Sequence, residues 1–247
     1  MQEHSYSGLN QGELFELSRE LTSKVFSPDE AHMSAYIPTY NNYFYFPGSH
    51  FFEYGAIDGQ MVDSLRCGAK MLSVGSGDGH LERLLRDGFG VSSENIVVSD
   101  IVVDPALKGE DFDYFQFDML GEWPDFNEKF DYILFPESLG VATMRCGADM
   151  TYRFREDVES AVQLIEKTGG VGNFSFFNLL MGSDSPSSVV IYDTIRKSID
   201  CLSDAGSICV LQGVDPGQPR AYVMNKIKSE FADAKFVYDR NLFRIDL

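Results

Sequence analysis

The stretch Met71-Leu72-Ser73-Val74-Gly75-Ser76-Gly77-Asp78-Gly79-His80-Leu81 decides the reading of the whole chain. A short apolar run ends in three glycines at alternate positions, and an apolar pattern at helical spacing (Leu81, Leu84, Leu85) begins at once. That order is strand, tight turn, helix. Glycine permits positive φ in the turn and lets backbone N–H groups approach a ligand closely. In an open parallel sheet such a turn lies outside the carboxyl ends of the strands, where ligands bind at the reversal of strand order.

The alternation continues downstream. The first strand covers Lys70–Gly75, and its helix ends at Gly88. Further strands are expected at Asn95–Asp100, Tyr114–Asp118, Asp131–Phe135 and Ser207–Gly213. Helices are expected at Val189–Leu202, introduced by Ser185-Pro186, and at Arg220–Phe231. Lys235–Tyr238 and Leu242–Ile245 flank a polar turn and read as a terminal hairpin. Strands alternating with helices imply an α/β fold with a parallel sheet. One connection is too long: about fifty residues separate the fourth strand from Val189, where 2–6 are usual. It holds a helical pattern at Arg155–Lys167 and an apolar stretch at Phe174–Met181.

Spacing within the turn discriminates among cofactors. A dinucleotide fingerprint is G-x-G-x-x-G/A, its third small residue letting the helix pack on the strand. Here Gly75-Ser76-Gly77-Asp78-Gly79 is G-x-G-x-G, and the third small position holds His80, which argues against NAD or FAD. Asp100 closes the second strand, where a carboxylate can accept from both ribose hydroxyls of an adenosine. Asp118 closes the third. Three strand-end features at regular intervals, on the edge this fold uses for ligands, outweigh any one of them.

From these residues, with Phe130–Glu137 and the Ser203-Asp204-Ala205-Gly206 turn, the chain resembles the class I S-adenosylmethionine-dependent methyltransferases. The resemblance covers roughly 70–140 and 189–247. It implies a Rossmann-like methyltransferase fold, a seven-stranded mostly parallel sheet with a C-terminal antiparallel hairpin, and S-adenosyl-L-methionine as cofactor. It further implies that Gly75, Ser76, Gly77 and Gly79 line the methionine moiety. Asp100 would hold the ribose with Ile101 against the adenine, Asp118 would accept from the adenine amino group beside Met119, and Glu137 would lie near the sulfonium. One departure stands out: the family commonly has an acid two residues before the first glycine, and here that residue is Ser73. The Gly77-Asp78-Gly79 tip also resembles aminopropyltransferases, which use decarboxylated S-adenosylmethionine. Methyl transfer to an oxygen or nitrogen of a small molecule is the leading expectation. Aminopropyl transfer and a non-catalytic, cofactor-binding regulatory protein are the alternatives.

Residues 1–69 read as a helical and aromatic lid, and 70–247 as the cofactor-binding domain with an insertion at 141–188. Asn10 and Glu13 form a capping-box pattern ahead of Leu14, Leu17, Leu21 and Val25. Ser27-Pro28-Asp29-Glu30 starts a second helix that should stop before Pro38. The aromatic stretch Tyr36–Tyr54 reads as loop or short strands over a pocket, and a short helix follows over Ile57–Leu65, ending near Gly68. Methyl transfer from a sulfonium needs positioning more than it needs a particular side chain, so the catalytic group is unassigned; His50, Glu137 and Tyr45 are the candidates.

Composition bounds the remainder. The 247 residues carry a formal net charge of -18, which disfavours a nucleic-acid partner. The acidic run from Glu110 to Asp131 reads as a solvated face or as attraction for a cationic substrate. The tyrosines at 36, 40, 43, 45 and 54 suggest packing or an aromatic box for a cationic or aromatic small molecule. No apolar run approaches the roughly 20 residues of a membrane helix, and the first residues lack a secretory pattern, so no membrane partner and a cytoplasmic location are expected. The four cysteines show no C-x-x-C pair, so free thiols and no metal site are expected.

Overall fold

The computed structural model describes residues 5–27, 36–37, 43–44, 48–102, 107, 109–136, 138–139, 186–211, 217–238 and 242–247. The N-terminal part opens with helix α1 (Gln11–Val25), whose start is the expected capping box: the Asn10 side chain accepts from the Glu13 N–H, and the Glu13 carboxylate accepts from the Asn10 N–H. Strands β1 (Tyr36–Ile37) and β2 (Tyr43–Phe44) pair antiparallel. Helix α2 (Ser49–Glu53) and helix α3 (Gly59–Arg66) follow, the latter capped by the Asp58 side chain on the Met61 N–H.

The main sheet comprises β3 (Met71–Val74), β4 (Ile96–Asp100), β5 (Asp113–Gln116), β6 (Phe130–Pro136), β7 (Leu202–Leu211), β8 (Lys235–Tyr238) and β9 (Leu242–Asp246). Its order is β5-β4-β3-β6-β7-β9-β8. The first five of these strands run parallel, while β9 pairs antiparallel with both β7 and β8. This is the seven-stranded, mostly parallel sheet with a terminal antiparallel hairpin that the resemblance implies. Strand order reverses between β3 and β6, which places the ligand crevice outside their carboxyl ends.

Alternation along the strands divides the core in two. Met71, Ile96, Val98, Leu134 and Cys209 face Leu14, Phe51, Phe52, Met61, Leu65, Leu81 and Leu85, so α1 to α3 and the helix after the glycine turn cover one side. Leu72, Val74, Val97, Ile133, Phe135, Ile208 and Val210 face Ile191, Ile195, Val223 and Ile227 on the other. These last four belong to helices α5 (Pro186–Ile199) and α6 (Gly217–Glu230); α4 is the helix after the turn (His80–Arg83). Burial on both faces explains why β3, β4 and β6 are rich in Val, Leu and Ile.

Several boundaries differ from the sequence reading. Ser49–Glu53 is helical where loop or strand was expected, because Phe51 and Phe52 both turn inward and Phe52 stacks on Phe89 at 4.7 Å. After α4 the backbone widens into a π-turn over Leu84–Gly88, still ending at the expected glycine. Helix α5 stops at Ile199 and Leu202 already pairs with Phe130. The expected turn Ser203–Gly206 therefore lies inside β7, as an irregularity in its register against β6 between Phe130 and Tyr132. The second N-terminal helix expected from Ser27, most of the aromatic stretch, and the helix at Arg155–Lys167 with its apolar successor lie outside the described residues. No described helix is long and apolar enough to cross a membrane.

Replacing Phe52 by alanine removes a fully buried ring from the layer between the N-terminal helices and the sheet. The expected loss is about 3–5 kcal/mol of unfolding free energy, read from a urea titration. A loss below about 1 kcal/mol would show that this layer contributes little to the fold.

Candidate functional site

The glycine turn is built by hydrogen bonds to the neighbouring strand. Both the Gly75 and Ser76 N–H groups donate to the Ser99 carbonyl, at 2.7 and 2.9 Å. The Gly77 N–H donates to Asp100 Oδ2 at 2.9 Å. Register makes this possible, since Val74 lies opposite Ser99 and the turn therefore emerges beside Asp100. Gly75, Gly77 and Gly79 all hold positive φ, at 81°, 59° and 71°. Asp78 Oδ1 accepts from the His80 N–H at 3.0 Å, which closes the turn onto α4.

Close packing explains two of the glycines further. A Cβ on Gly75 would collide with Ser138, whose hydroxyl donates to the Val74 carbonyl, and it would touch Met119 Cε at 3.4 Å. A Cβ on Gly79 would collide with Leu107. Ser138 reaches the turn from just past β6, so the crevice at the switch point is bridged by a side chain that pattern reading did not single out.

The other strand-end residues gather at the same edge. Asp100 is half-buried; Oδ1 accepts from the Ile101 N–H at 2.7 Å, and its carbonyl accepts from the Phe117 N–H at 3.1 Å. Ile101 is half-buried, with its carbonyl accepting from Gln116 Nε2. Asp118 caps its own turn by accepting from the Leu120 N–H at 3.0 Å. The Met119 carbonyl accepts from the Trp123 indole at 2.8 Å while its side chain reaches Gly75. Glu137 and Tyr45 lie outside the described residues. His50 sits on α2 with Nδ1 3.8 Å from the Glu53 carboxylate and its ring 6.2 Å from that of Tyr54.

His80 is buried and acts as a structural pin. The Phe26 ring stacks on it at 3.8 Å, and Nδ1 accepts from the Gly48 N–H at 3.0 Å. The chain on either side of residues 28–47 is thus fastened to the first residue of α4, directly beside the turn. The acidic run is largely a solvated face, with Asp111, Asp113, Glu122, Asp125 and Glu128 exposed, and some of its acids are also paired. Glu110 and Asp111 each contact Arg86 at 2.6 Å, and Asp131 accepts from the Lys70 N–H and the Ser203 hydroxyl, both at 2.9 Å.

Glu82 is the residue that pattern reading passed over. It lies on α4 three positions before Leu85, hence on the inward face, and is 1% exposed. Burial pushes its carboxyl up to about 7. The nearby Ser73 hydroxyl offsets part of that rise and the Asp78 charge adds to it. Neither carboxylate oxygen, nor Ser73 Oγ, completes a hydrogen bond of normal geometry with a described group. Burial likewise pushes the Cys209 thiol up to about 12, and Cys67, Cys201 and Cys209 are all free. Among the described residues no cluster of His, Cys, Asp and Glu could hold a metal ion.

No family model and no curated protein matches the sequence. Solved structures are similar to it at low identity. A sugar N-methyltransferase of Streptoalloteichus matches 64% of this chain and 47% of its own, at 15% identity and a TM-score of 0.36. An amino pentose methyltransferase of Micromonospora echinaspora involved in calicheamicin biosynthesis matches 73% of this chain and 56% of its own, at 13% identity and 0.35. The N-methyltransferase NodS of Bradyrhizobium japonicum, in complex with S-adenosyl-L-homocysteine, matches 93% and 97%, at 11% identity and 0.42. The chain spans about half the length of the first two.

Two outcomes follow from this geometry. Gly75→Ala should cost about 1–3 kcal/mol in denaturant melts, since φ is positive and Ser138 must move; an unchanged midpoint would contradict the packing described. Glu82 ionises at 4.5 when unfolded and near 7 when folded, so its favourable contribution is complete below pH 4.5 and lost as pH rises through 7. Relative to the wild type, Glu82→Gln should therefore gain about 3 kcal/mol of stability between pH 4 and pH 8, from about 1.4 kcal/mol per unit. A difference that stays constant over that range would show that the carboxyl titrates normally.

Proposed function

We propose that the glycine turn and the ends of β4 and β5 hold S-adenosyl-L-methionine, and that the chain is a methyltransferase acting on an oxygen or nitrogen of a small molecule. The observation that carries this reading is a three-glycine turn at the reversal of strand order, bonded to the carboxylate that ends β4, with Asp118 two residues past β5. The residues present fit such a ligand. Asp100 Oδ2 accepts from the Gly77 N–H and Oδ1 from the Ile101 and Val102 N–H groups, which aims the carboxylate from the turn toward the place a ribose would take. Ile101 lies beside it for the adenine face, Asp118 has an oxygen not used by its own turn for an amino group, and Met119 covers the gap to Gly75. Ser76, Gly77 and Gly79 line the methionine end, with Glu137 near the sulfonium.

The cofactor, when bound, would supply an activated methyl group on a sulfonium whose leaving group is a neutral thioether. The chain's own part is to hold donor and acceptor aligned and to exclude water. Helices α1 to α3 cover a face of the sheet, so within residues 1–69 the lid role falls to the chain between the anchors Phe26 and Gly48 on His80, and the insertion at 141–188 would shape the acceptor pocket. His50, two residues past the Gly48 anchor, is the described candidate for a base on the acceptor side. The net charge of -18 favours a small, cationic or aromatic acceptor over nucleic acid.

Calorimetry with S-adenosyl-L-methionine tests the reading. Micromolar binding is expected for the wild type, with a roughly 10- to 100-fold loss in Asp100→Ala, where the ribose loses a charged acceptor. Folded Gly77→Val should not bind, because a β-branched side chain resists positive φ and fills the cradle. Full affinity in both variants would overturn the site. Tighter binding of the decarboxylated cofactor than of the intact one would favour aminopropyl transfer instead.

A further inference from the structure

Among the described residues Glu82 is the one acid in the buried set, and both of its oxygens lack a hydrogen-bond partner. A carboxylate in that state is costly unless a cation or a set of donors completes it. Arg83 is the nearest cationic neighbour with an influence on it, and its guanidinium lies over the Phe26 ring at 4.8 Å. The carboxyl instead faces Ser73, which sits on β3 two residues before Gly75, and it feels the charge of Asp78 within the turn. The carboxyl therefore lies near β3 two residues before the turn, and near the turn's own Asp78.

We propose that Glu82 receives the ammonium group of the ligand seated on Gly75–Gly79. This rests on the proposed function, and it names the residue that recognises the amino-acid end of the cofactor. An ammonium brings three donors and a full charge, which suits two buried carboxylate oxygens that complete no hydrogen bond of normal geometry. The bound ligand then removes the burden that the buried acid places on the free protein. Glu82 is thus a specificity residue for ligands that carry the amino-acid tail.

The test compares two ligands by calorimetry at pH 8. S-adenosyl-L-homocysteine carries the tail and methylthioadenosine lacks it, so their ratio isolates the tail. In Glu82→Gln, which keeps the shape of the side chain, the first should bind about 10- to 100-fold more weakly while the second is unchanged. Moving the carboxyl to the strand, in Ser73→Asp combined with Glu82→Ser, should restore most of that preference. Equal losses for the two ligands, or no loss for either, would overturn the proposal while leaving the cofactor site standing. If the wild type binds neither ligand, the proposed function falls and the role of Glu82 falls with it.

Discussion

The site depends on the seam between the glycine turn and the end of β4. One carbonyl, that of Ser99, accepts two successive N–H groups of the turn, and one carboxylate, that of Asp100, accepts a third. These bonds fix a backbone that only glycine adopts readily and set it beside the point where strand order reverses. Asp100 links further, through its carbonyl, to the residue after β5, so three strand ends move as a unit. Preorganisation of this kind lets a ligand bind without first paying to order the loop.

The same seam explains why an acid is tolerated in the core. Three N–H groups of the turn beside Glu82 are committed to β4, and the Ser73 hydroxyl and the Arg83 charge offset only part of the cost of its burial. Burial raises the Glu82 carboxyl to about 7, which limits the cost of ionisation in the free protein. A burden of this sort in a core is a common mark of a site that a ligand completes.

Much of this architecture was legible in the residues. The glycine spacing, the acids ending β4 and β5, and the strand–helix alternation led to the sheet and its edge, because each depends on local pattern. Features set by tertiary packing were not legible. Ser49–Glu53 turns helical to bury two phenylalanines, and the Ser203–Gly206 segment joins β7 because its register against β6 slips. Glu82 was passed over since a lone acid beside Leu81 and Leu84 reads as solvent-facing; its spacing to Leu85 was the available signal. His80 is a buried pin between Phe26 and Gly48, a contact no local pattern announces.

The central claim is that one turn and two strand ends form a single ligand cradle. Amide nitrogen–proton NMR during titration with S-adenosyl-L-homocysteine tests it directly. The account predicts that the largest shifts fall on Gly75, Ser76, Gly77, Gly79, Asp100, Ile101, Asp118 and Met119, with the β8–β9 hairpin unmoved. Shifts confined to other parts of the sheet, or none at saturating ligand, would contradict it.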